Sequence, residues 1–155
     1  MITAPDSSLR KIAKPVDVQT DDVYGFLRVM RAEIIKYNGA GIAAPQVGID
    51  RQLAIISPPE RPWYVMINPE ILHSSDEVVS GLEGCLSVTG ETVKVVRAQE
   101  ITVRFTDLSG RVVTRLAEGF EARIVQHEID HLQGKLIIDH MSNVVRLMYH
   151  HKRKR

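Results

Sequence analysis

Apolar residues recur at helical intervals after Asp21 and Asp22: Val23, Phe26, Leu27, Met30 and Ile34 share one helix face. Either aspartate could cap that helix, and Asn38 with Gly39 stops it. The preceding "PDSSLRKIAKPV" mixes turn formers with a few apolar anchors and reads as an arm. The small residues and Pro45 of "GAGIAAPQVGID" predict a loop with close backbone approaches. The period then shortens. "QLAII", "YVMINPEI" and "TVKVVR" read as strands, with Pro58, Pro59, Pro62 and Pro69 breaking the intervals. "ITVRF" and "VVTRL" alternate on either side of "TDLSGR", as a hairpin does. Helical spacing returns near Glu118 or Gly119 and stops at Gly134; "KLIID" is a short apolar run, and Ser142 is placed to cap a final short helix. The order predicts an α+β fold, a single domain over residues 1–155 with strands in the middle, a key helix late, and a short basic tail at about 150–155.

Composition excludes several classes. A chain of 155 residues, 44% hydrophobic and 25% charged, has apolar material for a core without disulfide staples. Its formal charge of +1 exerts no global pull on nucleic acid or membrane, so neither is expected as a specific partner. One cysteine, Cys85, rules out an intramolecular disulfide and favours a reducing compartment. The first residues show no apolar signal segment, and no apolar run approaches a membrane span, so a cytoplasmic location is expected.

The stretch "QHEIDHLQG" carries the chemistry. His127 and His131 stand one turn apart on a single helix face, which Phe120 and Ile124 extend. Val125, Ile129 and Leu132 form a second apolar stripe, so this helix should be buried on more than one side. Buried polar side chains are costly unless paired. HExxH offers a reason: two imidazoles bind a metal ion and Glu128 acts beside it as general base. A catalytic site normally takes three protein ligands. His73, His140 and several carboxylates are candidates for the third, but Cys85 in "EGCLS" is the best, since a thiolate adds charge and a soft donor to two neutral imidazoles. Alternatively Cys85 is a small buried hydrophobe, or a thiol nucleophile beside histidine.

Three segments stand in one order: "GAGIAAPQ" from Gly39, "EGCLS" from Glu83 and "QHEIDH" from Gln126. Together they resemble the GxGLAAxQ, EGCLS and QHExDH signatures of the peptide deformylases. The likeness runs from "LRKIAKPV" through "GKLIID". Within it, "ARIVQHEIDHLQG" is similar to the branch found in organelles and some bacteria and viruses. The resemblance implies mixed or antiparallel sheets packed around a central HExxH helix.

It also implies that Cys85, His127 and His131 hold one divalent ion, natively Fe²⁺, with Zn²⁺, Ni²⁺ or Co²⁺ able to substitute. The reaction would remove the N-formyl group from N-formylmethionine of nascent polypeptides and release formate. Glu128 would move the proton, while the Gln46 side chain and the Leu86 backbone N–H would hold the oxyanion. Gly41 would contact the extended peptide, beside Ala40, which is smaller than the usual branched residue and widens the rim. Phe120 and Ile124 would line the methionine pocket, Arg97 would lie near the substrate channel, and Glu83 and Asp130 would orient ligands. Ile42, Thr89 and Val96 depart from the family pattern without touching a ligand. The run "HHKRKR" reads as a solvated segment, with transient ribosome contact as the alternative.

Overall fold

Asp22, rather than Asp21, caps the first helix: its carboxylate accepts the Gly25 N–H at 2.9 Å, a bond of about 1 kcal/mol, while Asp21 pairs with Arg51. Helix α1 (Val23–Tyr37) ends where Asn38 turns left-handed, with φ of 51°. The structure is a computed structural model that describes residues 1–152; the last part of the expected basic tail, 153–155, lies outside the described residues. Among the described residues, no helix is long and apolar enough to cross a membrane.

The segment expected to be a loop is more ordered than its small residues suggest. It forms a short strand, β1 (Gly41–Ala43), and then a 3₁₀ turn over Ala44–Val47. β1 pairs antiparallel with β2 (Leu53–Ile56), and β2 pairs with β3 (Tyr64–Ser74). Pro69 does not end β3, because a bulge between Ile67 and Glu70 relieves the ladder where proline has no N–H to give. Asn68 takes a positive φ there, and its side chain accepts the Val16 N–H at 2.7 Å and donates to the Val16 carbonyl at 3.0 Å.

From β3 the chain leaves the sheet. It makes a separate hairpin of β4 (Val78–Cys85) and β5 (Val88–Ala98), then returns as β6 (Glu100–Thr106) beside β3 and closes with β7 (Val112–Glu118). The result is a five-stranded antiparallel sheet, β1-β2-β3-β6-β7, plus a two-stranded one. The sequence pattern missed β4 and shortened β5 to "TVKVVR". Gly81 and Gly84 dilute the alternation that would have announced β4.

Helices cover both faces of the larger sheet. Leu53 and Ile55 pack with Leu27, Met30 and Ile34 of α1. Their neighbours Ala54 and Ile56 face the other way, onto Ala122, Ile124, Val125 and Ile129 of α2 (Gly119–Leu132). That two-sided burial is why β2 reads as a continuous apolar run. The smaller sheet has its own packing: Val88, Val93 and Val95 meet Ala4 and Leu9 from the arm and Leu136, Ile137 and Ile138 after α2. The arm is also stitched by its backbone, Ile2 N–H to the Gln46 carbonyl and Ala4 N–H to the Ser87 carbonyl, each at 2.7 Å. A 3₁₀ turn over Ile137–His140 leads to α3 (Asn143–Lys152), which extends the expected short helix into the region read as a tail.

Candidate metal centre

α2 lies with His127 and His131 toward β4, and β4 ends on Cys85 at the turn Leu86–Ser87. Cys85 Sγ lies 3.2 Å from His131 Nε2, which lies 3.2 Å from His127 Nε2. A tetrahedral ion bound at ordinary Zn–N and Zn–S lengths would space its donors by roughly 3.4–3.6 Å. The one donor group of this kind among the described residues, Cys85 with His127 and His131, spans no more than 4.8 Å and so fits a metal ion with little adjustment. His73 is exposed on β3 and His140 pairs with Asp130, so neither joins the cluster.

The surroundings prepare the donors. Glu83 Oε2 lies 3.0 Å from His127 Nδ1. A carboxylate only accepts, so Nδ1 carries a proton and Nε2 is the ring atom turned toward the cluster. Burial raises the Glu83 carboxyl, but hydrogen bonds from His127 and Arg97 outweigh it and hold the group well below its ordinary value. Burial disfavours charge on His127, yet Cys85 and Glu83 overcome this and raise it to about 10. His131 goes the other way: burial, then the neighbouring His127, depress it well below its ordinary value. These negative surroundings with one neutral imidazole suit a bound cation.

Arg97 is a correction. It does not line the cavity; it is 6% exposed and grips Glu83 with Nε and Nη2, each at 3.0 Å, while Nη1 pairs with Asp130. Its guanidinium is buried against two carboxylates and turned away from the cavity. Glu83 and Asp130 are thereby fixed behind the histidines, and removing one partner of such a buried pair costs about 3–5 kcal/mol.

A cavity of ≈ 580 Å³ opens beside the cluster. Gly39, Ala40 and Gly41 form one side, Leu82 to Leu86 another, and Phe120 with Ile124 from α2 a third. Cys85, His127, Glu128 and Gln46 reach its surface. Phe120 is 55% exposed at the rim, whereas Ile124 is buried deeper. Burial pushes Glu128 up to about 7, although the charge on His127 opposes it. Gln46 is oriented by its neighbours: its Oε1 accepts the Ala43 N–H at 2.8 Å, and Nε2 donates to Ser87 Oγ at 3.2 Å and lies 3.9 Å from Cys85 Sγ. A methyl group at Gly41 would lie 2.4 Å from Glu128 Oε1 and 2.8 Å from Ile124 Cγ2, so this glycine makes room for Glu128.

Sequence reasoning overlooked Ser87 and Arg123. Ser87 was within reach, since it follows Cys85 in the same motif. Arg123 stands four residues before His127 on the same helix face, a spacing that would have flagged it.

The family model "Polypeptide deformylase" matches residues 1–147. Peptide deformylase from Rickettsia typhi is 38% identical over 155 residues, covering 94% of this chain and 89% of the relative. The class I type b peptide deformylase from Acinetobacter baumannii, solved with Met-Ala-Ser bound, superposes with a TM-score of 0.86 at 39% identity, covering 90% of this chain and 96% of that one. Peptide deformylase from Ehrlichia chaffeensis gives a TM-score of 0.92 at 32% identity, covering 99% and 93%. With the donor cluster, the HExxH helix and these likenesses in agreement, the chain belongs to the peptide deformylases, metal-dependent hydrolases that remove the N-formyl group from nascent polypeptides.

Proposed function

We propose that Cys85, His127 and His131 hold one divalent ion and that Glu128, Gln46 and Leu86 carry out deformylation beside it, within one catalytic domain. The observation that carries this reading is the approach of three donors from two elements, at 3.2 Å contacts, on a cavity that also exposes Glu128 and Gln46. Fe²⁺ is the proposed native ion, and Zn²⁺, Ni²⁺ or Co²⁺ would substitute, since one thiolate with two imidazoles accepts several borderline metals. Held there, the ion supplies Lewis acidity and a water of lowered pKa.

Glu128 takes the proton of the attacking water and delivers it to the leaving amine. With burial raising it to about 7, it sits near the pH at which one group can serve as both base and acid. The Gln46 Nε2–H and the Leu86 backbone N–H receive the charge that develops on the formyl oxygen. Gly41 and Ala40 lie along the peptide, and Ile124 and Phe120 enclose the methionine side chain. The Met-Ala-Ser bound to the A. baumannii relative supports a formyl-Met peptide as the substrate in this cavity. A cytoplasmic setting and a transient ribosome contact through residues 150–155 complete the reading.

The test is formate release from formyl-Met peptides against acetyl-Met controls, with protein purified without oxygen and metal counted per chain. Metal-dependent, formyl-selective release is expected. A chain that holds no metal, or a metallated chain that frees no formate, would refute the proposal.

A further inference from the structure

Two rows of side chains face each other across the gap between β4 and α2. In a strand, alternate residues share a face, so Gly81, Glu83 and Cys85 point the same way, about 6.6 Å apart per step. On a helix, residues four apart share a face, so Arg123, His127 and His131 line up about 6 Å apart per step. The two pitches nearly match, and the residues pair as rungs. Cys85 Sγ meets His131 Nε2 at 3.2 Å, and Glu83 Oε2 meets His127 Nδ1 at 3.0 Å. At the third rung a Cβ on Gly81 would lie 2.9 Å from Arg123 Cζ, so the guanidinium lies flat against a position that has no side chain.

We infer that the Gly81–Arg123 rung is the register lock of this ladder, making Arg123 a positioning residue for the metal centre. The inference rests on the proposed ligand set. Cys85 comes from one sheet and both histidines from a helix packed on another, so the centre exists only while β4 keeps its place along α2. Arg123 fixes that place at several points. Nη2 donates to the Val79 carbonyl at 2.7 Å, while Nη1 donates to the Val95 carbonyl at 3.0 Å and to Glu83 Oε1 at 2.7 Å. It thereby ties the helix to both strands of the hairpin and to the carboxylate that orients His127. Arg97 cannot replace it. Arg97 rises from β5 and binds Glu83 and Asp130, but has no bond to the β4 backbone among its hydrogen bonds. A planar fork with several fixed donors suits this role, and a point charge does not. Arg123 also lines the substrate cavity, so a ligand that displaces it would act on the ligand geometry.

The experiment compares wild type, Arg123→Ala, Gly81→Ala and the double variant, each loaded with Co²⁺. Folding is checked by circular dichroism. The rate of Co²⁺ release to a chelator is measured, with the thiolate-to-metal absorption band as the report on Cys85. Arg123→Ala should speed release by about 10- to 100-fold and alter the band, as losing a partner of a ligand typically does. Gly81→Ala should do the same by pushing the guanidinium off its acceptors, and should add nothing once Arg123 is gone. Wild-type release and an unchanged band in folded Arg123→Ala would overturn the inference. Should that variant not fold, the same result in Gly81→Ala would overturn it. Failure of wild type to hold Co²⁺ would instead refute the ligand set itself.

Discussion

Substituting Gly41 by alanine separates two roles that its position could serve. The added methyl group would lie 2.4 Å from Glu128 Oε1 and 2.8 Å from Ile124 Cγ2. An unstrained contact is about 3.5 Å, so the carboxylate must withdraw by roughly 1 Å. Glu128 is only 3% exposed, so the space for that shift must come from the cavity beside it, and the move takes the carboxylate off its place. Overpacking of this kind costs about 1–3 kcal/mol of stability. A 1 Å displacement of a reacting group costs about 10²-fold in rate, equivalent to about 2.7 kcal/mol of barrier. Steady-state kinetics on a formyl-Met tripeptide, with metal per chain and Tm measured alongside, distinguishes the cases. If the glycine makes room for Glu128, kcat falls about 10²-fold while metal content and KM stay near wild type. If it chiefly admits the peptide backbone, KM rises and kcat holds. Wild-type values for both constants would refute the reasoning about this contact.

Glu128→Ala should keep its metal and lose nearly all turnover; formate assays and metal analysis on the same sample check both halves. Cys85→Ser should lose metal to chelators about 10- to 100-fold faster, since a neutral hydroxyl replaces a thiolate donor; a stably metallated serine variant would remove Cys85 from the ligand set. Glu121 provides a pH test outside the centre. Burial raises its carboxyl, but bonds from Arg115 and Tyr64 outweigh this and leave it below its ordinary value of about 4.5. A depressed folded-state value means that the stabilisation is present above the unfolded value and is lost as pH falls through the folded one. Wild type should therefore exceed Glu121→Gln by about 1–3 kcal/mol at neutral pH, with the gap closing in acid; urea melts across pH would show it, and a gap independent of pH would contradict it.

Helix α1 was legible because Val23, Leu27, Met30 and Ile34 repeat at helical spacing and are buried together. α2 and its donors were legible because HExxH is a chemical pattern as well as a structural one. The hairpin β6–β7 announced itself by alternation around "TDLSGR". Three features were not readable. β1 is only three residues long, and its order comes from pairing with β2. β4 is a strand on account of its partner β5, because two glycines weaken its own preference. Arg97 was expected near the substrate channel, since nothing local in "VVRAQ" reveals two carboxylates brought from Glu83 and from α2. Local pattern fixes elements, whereas ion-pair partners distant in sequence belong to the assembled fold.

The arm and the segment after α2 lie far apart in the sequence, yet both press on β5, with Leu9 and Ile138 in one apolar cluster that Cys85 adjoins. The arm also bonds the backbone at Gln46 and Ser87. Short irregular stretches beside the main elements are ordinarily chosen first for insertions and trimming. In this molecule they are the backing plate of the wall that carries Cys85. Altering them would reach the thiol and its neighbours through that cluster, so a choice made for convenience at the bench becomes a hidden variable in every rate measured.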